Sequence, residues 1–275
     1  MCLRLIVACL FCNVFRGYQL LSSLSVIVIT KNEERNIAEC LDSVHWAQEI
    51  VVVDGGSVDK TLELARNYTQ KVYVKPWEGY AASKNFALQQ CTGEWILWLD
   101  ADERITRELG EEVQSVTGQQ STPFAAYEMP RRAFFLGRWI RHSGWYPGYV
   151  TRLFKRGSAR FSDHKVHEKL EFDGKLGRLR FDLLHYTDPN LWHYFDKFNR
   201  YTTLAADEMA ERQTTFRISQ LIVRPMWVFV RMYFIKMGFM DGIQGFILSV
   251  LSGCYVFTKY AKLWELSSDT KRSKA

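Results

Sequence analysis

Leu24-Ser-Val-Ile-Val-Ile29, Glu49-Ile-Val-Val-Val53, Val72-Tyr-Val74 and Glu94-Trp-Ile-Leu-Trp-Leu99 are short apolar runs rich in β-branched and aromatic residues. Runs of this length and composition read as strands with both faces buried. Helical patterns lie between them. Ile37, Leu41 and Val44 share one face; Leu62, Leu64 and Ala65 follow Ser57, a good N-cap; a third helix is expected from Gly79 to Gln90. Strand and helix alternate, which argues a parallel sheet covered by helices on both faces. In such sheets ligands bind beyond the carboxyl ends of the strands. Asp54 and Asp100 stand at two of those ends, so one crevice can hold both.

The residues at those ends have their own chemistry. Asp100 and Asp102 flank one alanine. On an extended chain their side chains point the same way, and two carboxylates there can hold Mg²⁺ or Mn²⁺ while leaving positions open for phosphates. A plainer reading makes them solvated acids opening a helix, since Glu103 and Thr106 follow. Asp54-Gly-Gly-Ser-Val-Asp59 can likewise be only a strand-to-helix turn with an acid that suits the helix dipole.

Thr30-Lys-Asn-Glu-Glu34, Asp54-Gly-Gly-Ser-Val-Asp-Lys-Thr61, Ser83-Lys-Asn85 and Leu99-Asp-Ala-Asp-Glu-Arg104 resemble, in order and spacing, the motifs of family-2 glycosyltransferases. The resemblance implies a GT-A fold, an α/β class in which a Rossmann-like nucleotide-sugar-binding sheet is joined to an acceptor subdomain. It implies inversion at the anomeric carbon by direct displacement. By that likeness Asp54 contacts the uracil, Asp100 the ribose and Asp102 the metal; Lys84 lies near the nucleotide or diphosphate, and Thr30 and Glu33 line the base pocket.

Later segments extend the likeness. Gly144-Trp-Tyr-Pro147, Arg152-Leu-Phe154, Val166-His-Glu168, His185-Tyr186, Asn199-Arg-Tyr201 and Gly238-Phe-Met-Asp-Gly242 resemble the branch containing lipopolysaccharide core β-1,4-glucosyltransferases. Direct displacement needs a base for the acceptor hydroxyl proton. Val-His-Glu resembles the place where the superfamily puts it, so Glu168 is the expected base and Asp163 the second choice, with Glu171 and Asp173 also acidic nearby. The alternative makes Glu168 one acid of an alternating surface strand, Val166 to Phe172. His167 is expected to orient Glu168. His185 lies where the superfamily recruits a late histidine to the metal; a lone histidine after two leucines can also be a satisfied core residue.

From Arg131 to Lys165 the basic residues face a single acid, Asp163, and aromatics interleave with them. Sheet-edge lysines and arginines explain such a run. So does a cleft for an anionic glycan or glycolipid, since arginine grips phosphate and carboxylate bidentately and aromatic rings stack on sugars. Arg131, Trp145, Tyr146 and Arg152 are the expected acceptor contacts. Basic-plus-aromatic also describes single-strand nucleic-acid binders, but the donor motifs favour the glycan, and no nucleic acid is expected as partner.

The rest of the chain is read as a membrane-associating tail. Arg217, Arg224 and Arg231 recur every seven residues among Trp227, Phe229, Tyr233 and Phe234, and Pro225 is placed at the first position of a new helix. Gly242 to Thr258 runs 17 residues without a charge. It is expected to form a buried or half-inserted hairpin, with a true span or a lipid-free core subdomain as alternatives. Residues 1–23 form an apolar extension too short to span, read as dispensable or as a short anchor. The expected division is 1–23, a catalytic domain over 24–187 and a helical tail over 188–275.

Composition sets the outer limits. Of 275 residues, 47% are hydrophobic and 24% charged, which excludes a disordered chain. The net charge of +6 fits an anionic membrane, a phosphorylated substrate or nucleic acid alike. Six cysteines without zinc spacing suggest a reducing compartment. The expected protein is a UDP-glucose-using hexosyltransferase at the cytoplasmic face of an inner membrane. A polyprenyl-phosphate glycosyltransferase and a membrane-attached glycan-binding protein are the rivals.

Overall fold

The computed structural model describes residues 23–119, 121–162 and 170–272. The apolar extension, apart from Ser23, lies outside them. The four apolar runs are strands: β1 (Leu24–Thr30), β2 (Glu49–Asp54), β3 (Val72–Val74) and β4 (Trp95–Asp100). They lie in the order β3-β2-β1-β4, all parallel. β1 is buried along its whole length, as a central strand covered on both faces must be. One face packs on α1 (Ile37–Asp42) through Ile37, Cys40 and Leu41; the other packs on α3 (Tyr80–Gln90) through Ala81 and Ala87. Between them, α2 (Thr61–Ala65) is a single short turn of helix.

The parallel sheet is only half of the structure. After β4 come β5 (Glu103–Ile105), α4 (Arg107–Thr117), β6 (Phe124–Phe135), β7 (Arg138–Trp139), β8 (Gly148–Lys155), β9 (Ala159–Phe161), β10 (Leu170–Phe172), β11 (Lys175–Arg178) and β12 (Leu183–Asp188). The sheet continues β4-β8-β6-β12-β5. β8 runs antiparallel to both neighbours, and β12 runs parallel to β6 but antiparallel to β5. The parallel sheet expected from Leu24 to Asp102 is present, and beyond it the sheet turns mixed for a topological reason. Parallel neighbours need a crossover of a dozen or more residues, usually a helix, and no helix separates β6 from β8.

The tail is helical: α5 (Leu191–Glu211), α6 (Ser219–Val230), a π-helical turn Arg231–Ile235, a 3-10 turn Gly238–Asp241 and α7 (Gly242–Arg272). Three expectations change. Pro225 lies inside α6 rather than at its start. Arg217 precedes α6 and Arg231 falls in the π turn, so the seven-residue arginine repeat does not lie on one regular helix. The uncharged run 242–258 contains no hairpin, because it is the first half of the 31-residue α7; the reversal comes before it. The glycines of that run serve close packing instead. A Cβ on Gly253 would stand 3.1 Å from the Pro225 carbonyl oxygen, and one on Gly245 only 2.0 Å from that of Gly238.

The tail is fastened to the sheet. Phe135, Ile140 and Leu248 form a core cluster with Trp145 and Tyr194 packed on it. Buried Asp241 accepts from the backbone N–H of Arg141 (3.1 Å) and His142 (2.9 Å).

Candidate active site

The crevice forms where β1, β2 and β4 end side by side. Register pairs Thr30 with Asp54 and Ile29 with Asp100. Two motif loops brace each other there. Asn32 N–H donates to Ser57 Oγ (2.8 Å), Val58 N–H to Asn32 Oδ1 (2.9 Å) and Glu33 N–H to Thr61 Oγ1 (2.8 Å). Contrary to the sequence expectation, Ser57 does not cap α2; its own N–H and hydroxyl both donate to Asp54. Asp59 serves the helix start, accepting from Thr61 N–H at 3.0 Å. Both glycines of the turn are needed. Gly56 has φ +86°, and a Cβ on Gly55 would stand 2.6 Å from the Trp77 ring.

Asp54 is fully buried, its carboxylate turned back into this turn. Thr30 is buried beside it, and among the described residues its hydroxyl has no hydrogen-bond partner. Burial raises the Glu33 carboxyl, against a hydrogen bond from Asn36 (2.8 Å) that lowers it.

A second group of charges surrounds the end of β4. Arg152 lies with its guanidinium carbon 3.4 Å from the Trp98 ring centroid. It donates to Asp100 (2.7 Å) and to Glu103 (2.5 Å). The Lys84 ammonium is 3.8 Å from the Trp98 ring centroid and 3.9 Å from Asp100. Burial pushes the Asp100 carboxyl up, but Arg152 and Lys84 outweigh it and hold it at about 2. Burial raises Glu103 despite Arg152. Glu103 is fully buried; it accepts the Asp100 N–H at 3.1 Å and has Arg131 4.0 Å away.

Asp102 turns from Asp100 toward β12. Its carboxylate is 3.3 Å from His185 Nε2 and 3.9 Å from the Lys197 ammonium of α5. Burial raises this carboxyl, but His185, with a smaller contribution from Lys197, brings it below its usual value. Among the described residues no three His, Cys, Asp or Glu side chains converge as a metal group. Asp102 and His185 offer one oxygen and one nitrogen, and such a pair suits a divalent ion that keeps its remaining positions for phosphate and water.

The expected acceptor contacts separate. Arg152 is buried and committed to Asp100 and Glu103, so it belongs to the donor crevice and not to an acceptor surface. Trp145 packs edge-on to Phe135 in the core beneath the tail. The Tyr146 hydroxyl donates to Asp182 (3.1 Å), and Arg131 lies by Glu103. Asp163, His167 and Glu168 fall outside the described residues; Glu171 is in β10, paired with Arg160 (3.0 Å). Sequence reading missed Glu103, Trp98 and Lys197. Glu103 had a signal, its place directly after the Asp-Ala-Asp motif; Lys197 had none.

Comparison with known proteins gives the family and the fold. The family model described as glycosyl transferase family 2 matches residues 25–169. The lipopolysaccharide core biosynthesis glycosyltransferase LpsC of Rhizobium meliloti is 33% identical over 88% of this chain and 92% of its own length. An uncharacterized glycosyltransferase of Rickettsia typhi is 30% identical over 90% of this chain and 88% of its own. Among solved structures, the mannosyltransferase PcManGT from Pyrobaculum calidifontis, in complex with GDP-Man and Mn²⁺, superposes with a TM-score of 0.53 at 15% identity, covering 88% of this chain and 87% of that one.

Proposed function

The chain belongs to glycosyl transferase family 2, and from that premise we propose that it moves a hexose, glucose from UDP-glucose, onto a lipopolysaccharide-core-type glycan or glycolipid. The observation that carries this reading is the pairing of Asp102 with His185 at 3.3 Å, at the strand end where Asp100 is held ionised. The similarity to LpsC, a lipopolysaccharide core biosynthesis glycosyltransferase, supports the acceptor class. Asp102 and His185 would hold Mg²⁺ or Mn²⁺, which when bound stabilises the charge that gathers on a departing diphosphate.

The chain's own residues supply the rest. Thr30, whose buried hydroxyl has no partner among the described residues, and Asp54 line the base side of the crevice. Asp100, fixed by Arg152 and Lys84, faces the ribose. Glu168 takes the acceptor proton, with Asp163 as the competing base; this assignment rests on motif likeness. The exposed apolar residues of α6 and α7 support a seat for the enzyme on a membrane surface.

A donor screen tests the reading. UDP-glucose with Mn²⁺ should raise the melting temperature, since saturation at 100 times Kd stabilises by about 2.7 kcal/mol. GDP- and dTDP-sugars should do less. The reading is lost if no sugar nucleotide stabilises the protein with either metal.

A further inference from the structure

Helix α5 leaves β12 through Asn190, whose side chain caps it by accepting His193 N–H at 2.8 Å. Its path carries two cations across the crevice mouth. The Lys197 ammonium lies 3.9 Å from both Asp102 and Asp188, and its hydrogen bond goes instead to the Thr187 carbonyl (2.9 Å). Arg200, three residues on and so on the same side of the helix, donates to the Tyr80 hydroxyl at 3.1 Å. Tyr80 opens α3 on the opposite lip, with the Lys84 ammonium 5.7 Å from its ring. Another face of α5 is clamped from behind: Lys262 of α7 donates to the Asn199 carbonyl (3.0 Å) and side chain (2.9 Å) and to Thr203 (2.7 Å). The helix is thus held with Lys197 at the Asp102 end and Arg200 at the Tyr80 end.

We propose that Lys197 and Arg200 grip the diphosphate of the donor, as the roof over a crevice whose floor is the strand ends; this rests on the nucleotide-sugar reading above. Charge accounting favours it. Asp100 and Glu103 already have Arg152 as a close partner. Lys197, at 3.9 Å from each of Asp102 and Asp188, is beyond hydrogen-bond distance of either carboxylate, and its side chain is 29% exposed. A diphosphate has oxygens enough for both cations, and charge-assisted bonds to phosphate are among the stronger polar contacts. If Lys197 served only to neutralise Asp102, its removal would leave diphosphate binding intact.

The test uses the full chain, with inorganic pyrophosphate and UDP as probes, each with Mn²⁺, by calorimetry. Lys197→Met and Arg200→Met should each weaken both probes about tenfold, and weaken UMP less. Lys197→Arg should retain most of the affinity. Mn²⁺ alone should bind Lys197→Met at least as well as wild type, because a competing cation has left Asp102. The proposal is overturned if both Met variants bind pyrophosphate and UDP like wild type, or if UMP falls as far as UDP. If wild type itself binds neither probe, the donor reading has failed and this inference goes with it.

Discussion

Arg152 sits over the Trp98 ring, its guanidinium carbon 3.4 Å from the centroid, and from there it reaches both Asp100 and Glu103. The Arg152 and Glu103 side chains are 4% and 0% exposed. Removing one partner of such a pair leaves an uncompensated buried charge, at about 3–5 kcal/mol. Arg152→Met should therefore lower the unfolding free energy by that amount in urea. Pairing it with Glu103→Leu should recover part of the loss, since an apolar substitute for both partners is often neutral. A single variant within 1 kcal/mol of wild type would remove the network from the account of stability.

Asp102→Asn keeps the side-chain shape and loses the charge facing His185 and Lys197. Thermal shift should show the apo melting temperature within a few degrees of wild type and no further rise on adding Mn²⁺ with UDP-glucose. Turnover should be abolished. An undiminished Mn²⁺ response would place the metal elsewhere.

Glu49 ties the entry of β2 to three elements. Its carboxylate accepts from Thr92 N–H (2.8 Å), from Ser25 and from Lys71. Burial raises this carboxyl, and the hydrogen bonds from Lys71 and Ser25 outweigh it and bring it to about 2. The folded value is depressed, so the stabilisation is complete above the unfolded value of about 4.3 and fades as pH falls toward 2. Glu49→Gln should cost up to about 3 kcal/mol at pH 7. The gap to wild type should narrow between pH 5 and pH 2; denaturant curves with a pH-independent gap would contradict the charge assignment.

The first half of the fold is written in local pattern. Each β-branched run from Leu24 to Leu99 became a strand, and Asp54 and Asp100 fell at their carboxyl ends. Relationships that depend on a distant partner were not legible. Arg152 was read by its basic and aromatic neighbours as an acceptor contact. What fixes it is the antiparallel register of Leu97 with Leu153, which sets Trp98 beside it. The 242–258 run has too few charges and too many glycines for a surface helix, yet those glycines are where α6 and the 3-10 turn press against α7.

That close approach gives a prediction in which two effects compete. Alanine is favoured over glycine inside a helix by about 0.8–1.0 kcal/mol. At Gly245, however, the new Cβ would stand 2.0 Å from the Gly238 carbonyl oxygen and 2.9 Å from the Asp241 Cβ. Backbone cannot give way as a flexible side chain can, and overpacking costs about 1–3 kcal/mol. Gly245→Ala should therefore destabilise the protein despite the better propensity, read as a lower urea midpoint. A raised midpoint would mean that the turn relaxes freely.

The tail should bind bilayers chiefly by apolar burial. Ile222, Met226, Trp227, Phe234 and Ile243 are each more than half exposed, between 55% and 64%. Among the described residues one helical stretch, Gly238–Ser268, is long and apolar enough to cross a membrane. At about 1.5 Å per residue it outreaches the roughly 30 Å hydrocarbon layer. Against a span, Leu248, Tyr260 and Leu263 on this helix are buried in the protein, which leaves only its outer face for lipid. Arg224 is also engaged, bonded to the Tyr260 hydroxyl, so the charge that fades with salt falls to Arg217, Arg231 and Lys236. Replacing Trp227, Phe234 and Ile243 with Ser should remove about 1 kcal/mol or more each, taking their partial exposure into account. Liposome flotation should then fall roughly a hundredfold in partition, on neutral and anionic vesicles alike. Arg217→Gln with Arg231→Gln should weaken binding to anionic vesicles only, by about 1 kcal/mol per charge, and 0.5 M salt should erase the difference. Flotation unchanged by the Ser variants would refute the interfacial reading. Wild-type protein that resists alkaline carbonate would replace it with a span.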